Sequence, residues 1–110
     1  MEHQIFDRDE LMERIGNDEE LMEQLIELFL EDYPTRVAEI EAGFSEGNSE
    51  KTRKAAHTLK GMSGNLAFHQ VYHTAKKMED YASEKKMEEA EKLHNQLQKE
   101  IARVLEHFNR

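Results

Sequence analysis

A chain of 110 residues with 37% apolar and 35% charged residues is sized for one domain, read as spanning 1–110, with a modest core and a heavily solvated surface. The net charge of −9 leaves no excess of Lys and Arg to displace phosphate counterions, which argues against a nucleic-acid partner. Cysteine is absent, which removes disulfides, thiolate zinc sites and Cys nucleophiles, and no apolar run approaches the roughly 20 residues of a membrane span. The start, Met1-Glu2-His3-Gln4, has neither the basic nor the apolar region of a signal peptide. A cytoplasmic protein is the expectation, with no membrane insertion.

No run of β-branched residues alternates with polar ones, so strand signals are missing. Asp7 with Glu10 is a capping-box pattern, opening a short helix through Leu11, Met12 and Ile15 that Gly16 ends. Asn17 with Glu20 repeats the device. The segment it opens carries Leu21, Leu25, Ile26, Phe29, Tyr33, Val37, Ile40 and Phe44, spaced mostly three and four apart. Pro34 lies inside it and predicts a kink or a break near residues 30–33. Gly47-Asn48 makes a stop and a fresh cap, so a third helix runs from about Ser49 to about Leu66. A fourth follows with Val71, Tyr72, Ala75, Met78 and Ala82 inward, then a weakly signalled loop over 83–86. The alternating charges of 84–89 read as a solvated helix face. The last helix shows Ala90, Leu93, Leu97, Ile101, Val104 and Phe108 in register. This pattern predicts an all-α fold, an antiparallel up-down four-helix bundle with a short extra N-terminal helix.

The third helix carries the chemistry. On a wheel of about 100° per residue, Thr52, Ala55, Ala56, Leu59, Ser63 and Leu66 fall in one sector, the core side. His57, Lys60, Gly61 and Gly64 fall in another, centred roughly 140° away and therefore exposed. Each glycine costs about 1 kcal/mol relative to alanine inside a helix, and bare backbone beside an imidazole would let a partner approach closely. A neutral imidazole nitrogen is nucleophilic near neutral pH, and a lysine one turn along offers a cation to phosphoryl oxygens.

Ala56-His57-Thr58-Leu59-Lys60-Gly61, followed by Gly64-Asn65-Leu66, resembles the signature of histidine-containing phosphotransfer (Hpt) domains. The likeness extends to Phe6-Asp7, Leu11, residues 16–21, Phe29 and Pro34 upstream, and to Ala75 and Met78-Glu79 downstream. The resemblance implies a phosphorelay carrier, not an enzyme, with His57 taking and giving the phosphoryl group through Nε2. Lys60 would steady that group, Gly61 and Gly64 would give a receiver domain room to dock, and Glu79 would hydrogen-bond the His57 ring. The implied partners are a response-regulator receiver domain and a histidine kinase or hybrid kinase. No cofactor of the chain's own is implied; Mg²⁺ belongs to the receiver. A monomer is expected. One departure is Ala67-Phe68, where the family often has glycine at the turn. A positive φ there would strain Ala67 by about 1 kcal/mol, so a differently arranged helix end is expected.

Two other readings compete. His69 and His73, four apart on one helix face, have chelating geometry for a weak metal site. A helical interaction module without phosphoryl chemistry would give His57 no special role and leave its glycines unexplained. His3, His94 and His107 belong to no constellation and read as surface residues.

Overall fold

The computed structural model describes residues 3–110, which form six helical segments and no strand. These are α1 (Arg8–Arg14), α2 (Glu19–Glu46), α3 (Ser49–Asn65), α4 (His69–Ser83), α5 (Met87–Lys92) and α6 (His94–His107). Short connections reverse the chain between successive long helices, giving the helical bundle expected, with α1 as the extra N-terminal helix. No helix among the described residues is long and apolar enough to cross a membrane.

Most helix ends follow the sequence signals. Asp7 Oδ1 accepts from Glu10 N at 3.1 Å, and Asn48 Oδ1 accepts from Lys51 N at 3.0 Å behind Gly47 in the left-handed region. The cap of α2 moves by one residue from the expected Asn17. Gly16 and Asn17 both adopt positive φ, which leaves Asp18 extended and able to accept from Leu21 N at 3.0 Å. Of the kink or break expected near residues 30–33, the break does not occur. Pro34 is exposed on a continuous α2, so its φ fits the helix and the carbonyl it leaves free can face water. The charged block 84–89 straddles the loop rather than lining a helix, with Lys85 at φ 61°. The expected last helix begins at Met87 and tightens at Leu93, where Leu93 N donates to Ala90 O, dividing α5 from α6.

Ala67 keeps the left-handed turn, with φ 61°, against the expectation of a different helix end. Phe68 N donates to Ser63 O at 2.9 Å and Ala67 N to Gly64 O at 3.2 Å, the two bonds of a Schellman closure. Phe68 is fully buried, its ring 5.0 Å from Phe29 and 5.5 Å from Phe6. The hydrogen bonds and this burial offset the strain of about 1 kcal/mol at Ala67.

The core is made of Ile26, Phe29 and Ile40 from α2, Ala56 and Leu59 from α3, Val71, Ala75 and Met78 from α4, and Leu97 and Val104 from α6. The inward face of α3 also buries two hydroxyls. Thr52 Oγ1 donates to Ile40 O at 3.3 Å and Ser63 Oγ to Leu59 O, so neither is left without a partner. Helices α2 and α3 touch at Gly43, where an added Cβ would run into Thr52 Oγ1 and lie 2.9 Å from Thr52 N. Helix α4 lacks a side-chain cap, and the N-terminal strap does that work: Gln70 N donates to Gln4 O at 3.1 Å, while Asp7 N donates to Ala67 O at 3.0 Å and ties the strap to the turn before α4.

Candidate phosphoryl-transfer site

The i, i+3 spacing of His57 and Lys60 puts both on one face of α3, over the seam with α4. On α4, Ala75 and Met78 are fully buried, which sets Glu79 at the edge of the core facing the same seam. One carboxylate holds both groups: Glu79 Oε2 lies 2.7 Å from His57 Nδ1, and Oε1 lies 2.7 Å from Lys60 Nζ. The Glu79 side chain is 14% exposed and that of His57 61%. Glu79 thus bridges the imidazole and the ammonium.

An ionised carboxylate only accepts, so the hydrogen between His57 and Glu79 sits on Nδ1, and in the neutral ring the lone pair is on Nε2. Burial alone would raise the Glu79 carboxyl, but the pairs with Lys60 and His57 outweigh it and hold its pKa below the ordinary 4.5. The hydrogen bond to Glu79 raises the Lys60 ammonium above its ordinary 10.5, against a smaller opposing effect of desolvation. Lys60 was expected to stand exposed. Its side chain is only 24% exposed and is turned onto Glu79.

The two glycines of this face differ. Nothing lies within 4 Å of a Cβ built on Gly61, so open space surrounds it. Gly64 is half-buried: a Cβ there would sit 3.0 Å from the Tyr72 ring, and its carbonyl accepts from Arg14 Nη1 at 2.8 Å. The bare patch expected at Gly64 is covered by this chain's own side chains. Tyr72 and Arg14 were missed because their contacts span 8 and 50 residues of sequence, beyond any local signal.

His69 and His73 do not converge on one point. His73 stacks on His3 with ring centroids 3.6 Å apart, while His69 Nε2 turns to Glu10 Oε1 at 3.3 Å. His94 is not a surface residue: its side chain is 15% exposed, its Nε2 lies 3.0 Å from Glu41 Oε2, and its ring packs edge-on against Phe44. Apolar contact with α2 explains that burial.

The Hpt domain family matches residues 24–107, which is most of the chain and includes the whole site. A search of curated proteins gives no match. Among solved structures, the fold is similar to histidine-containing phosphotransfer protein B from Pseudomonas aeruginosa PAO1, with a TM-score of 0.88 and 24% identity. That match covers 98% of this chain and 94% of the other. The chain belongs to the Hpt domain family and is a histidine phosphotransfer carrier of phosphorelays.

Proposed function

We propose that His57 is the residue that carries the phosphoryl group, exchanging it with the aspartate of a response-regulator receiver domain in the cytoplasm. The observation that carries this reading is the hydrogen bond of Nδ1 to Glu79, which leaves the nucleophilic lone pair on Nε2. In the forward step, Nε2 attacks phosphorus and the phosphorus–oxygen bond to the aspartyl carboxylate breaks. The released carboxylate stays with the receiver, and the ring becomes cationic because both nitrogens are now substituted. Glu79, accepting from Nδ1–H, stabilises that charge as it forms. The return step reverses each of these changes.

Lys60 supplies a cation within one helical turn of the reacting nitrogen, able to turn from Glu79 to the phosphoryl oxygens. Gly61 is the open ground on which the rim of the receiver site rests, supported by the empty space around its Cα. Gly64 contributes to docking only through the Tyr72 surface that its missing side chain makes possible. Mg²⁺ and the acceptor carboxylate come from the receiver, and the phosphoryl group enters from a histidine kinase or hybrid kinase. The chain acts as a monomeric carrier, with the acceleration of transfer shared with those partners.

The test is incubation with a phosphorylated receiver domain, followed by mapping of the acid-labile phosphate. His57→Gln abolishes labelling and leaves thermal unfolding nearly unchanged, since the ring is outside the core. Labelling that survives this substitution refutes the assignment.

A further inference from the structure

We propose that Asp7, Glu10 and His69 form a binding site for a divalent cation of the zinc class, clamping the N-terminal strap and α1 to the start of α4. Each of the three side chains offers one ligand atom, and the three atoms all lie within 4.8 Å of one another. They come from three separate places: the end of the strap, the first turn of α1, and the first residue of α4. This centre is independent of the phosphoryl chemistry and does not require His57.

The separation of one pair matches that of two ligands on a single ion. His69 Nε2 and Glu10 Oε1 stand 3.3 Å apart. Two ligands on a tetrahedral ion, at bonds of about 2.0–2.1 Å, stand about 3.3–3.4 Å apart. A nitrogen and an oxygen side by side at that separation can share an ion with almost no movement. Asp7 needs a shift of only a rotamer's reach, since all pairs already lie within 4.8 Å.

The backbone under the three ligands is already fixed. Asp7 N is bonded to Ala67 O at 3.0 Å, and Asp7 Oδ1 caps Glu10 N at 3.1 Å, which leaves the second Asp7 oxygen for an ion. Arg14 sits 2.9 Å from Glu10 Oε2, so Glu10 keeps Oε1 for the ion while Arg14 holds the other oxygen. Two carboxylates against one guanidinium leave a net negative charge beside the imidazole. One nitrogen and two oxygens suit Zn²⁺, Co²⁺ or Ni²⁺ better than a hard ion that demands oxygen alone. His73, stacked on His3, takes no part, so this is a different centre from the helical His69–His73 pair.

The test uses the full chain, stripped with a chelator and titrated near neutral pH with Zn²⁺ by calorimetry and with Co²⁺ by visible absorption. One equivalent binds, the Co²⁺ bands report a low-coordinate site with a nitrogen ligand, and Zn²⁺ raises the unfolding midpoint. Glu10→Gln and His69→Gln each weaken binding at least ten-fold; His73→Gln and His57→Gln leave it unchanged. Asp7→Asn keeps the helix cap and still weakens binding, which separates loss of a ligand from loss of fold. Melting curves of the metal-free variants confirm that each is folded. Absence of one-equivalent binding by the wild type, binding by His69→Gln equal to wild type, or loss on His73→Gln instead, overturns the proposal.

Discussion

Gly43 and Gly61 are both glycines within a long helix, and they are there for opposite reasons. At Gly43 a side chain would strike Thr52 and the backbone of the next helix, so the residue is dictated by the contact of α2 with α3. At Gly61 nothing would be struck. The fold does not ask for glycine at that position, yet the helix bears its cost of about 1 kcal/mol. A glycine that packing explains reports on structure; one that packing leaves unexplained reports on something outside the chain. Gly64 falls between, its missing side chain filled by Tyr72.

The sharpest way to break this contrast is Gly43→Ala. The new methyl cannot be accommodated by a flexible side-chain end alone, because Thr52 N lies 2.9 Å and Asn48 O 3.0 Å from it. Overpacking of this kind costs about 3 kcal/mol, read as a large fall in the denaturant midpoint with phosphotransfer unchanged in whatever remains folded. A variant as stable as wild type would show that α2 and α3 separate easily.

Lys60→Ala should slow transfer about ten-fold at saturating receiver, as removal of a cation worth roughly 1–2 kcal/mol implies. Lys60→Arg should keep part of the rate. Equal rates for wild type, Lys60→Ala and Lys60→Glu would confine Lys60 to its pairing with Glu79.

Stability should rise by about 1 kcal/mol for Gly61→Ala, a gain of about 4–8 °C in the unfolding midpoint. Gly64→Ala should gain little, because its methyl meets the Tyr72 ring at 3.0 Å and the ring must shift. A bulky Gln at Gly61 should keep the helix and slow transfer from the receiver; full-speed transfer would remove the docking role of that face.

The smallest effect concerns Glu79. Its folded pKa is depressed, so its stabilising contribution is present above 4.5 and is lost as pH falls through the lower folded value. Lys60 has a raised pKa, and its share persists to 10.5 before fading at higher pH. Glu79→Gln should therefore be less stable than wild type near neutral pH, with the gap closing in acid below 4.5. A gap of constant size across acid titration would mean that the charge on Glu79 does not matter to folding.

The same contrast explains what could be read from the sequence. The 3.6-residue periodicity and the caps at Asp7 and Asn48 marked the helices, because those signals are local. The faces of α3 followed too: every residue assigned to its inner sector is buried and His57 is exposed. The matches stop where tertiary contact decides. Asn17 yields the cap to Asp18 because the turn before it is left-handed at both residues, and Pro34 is tolerated because its side of α2 faces water. Ala67 accepts strain because Phe68 must reach the core. Lys60 looked exposed and Gly64 looked bare: the resemblance set Glu79 against the His57 ring, but no local signal brings Lys60 to the same carboxylate or Tyr72 over Gly64.

The strap over residues 3–7 has a consequence in time. Gln4 and Asp7 are bonded to residues 60 and more positions later, Gln70 and Ala67, whereas most of the bundle joins neighbours in the chain. During synthesis residues 3–7 have no place to settle until the start of α4 has been made. This segment can thus settle only late, after the long helices have met, and it closes the start of α4 behind them.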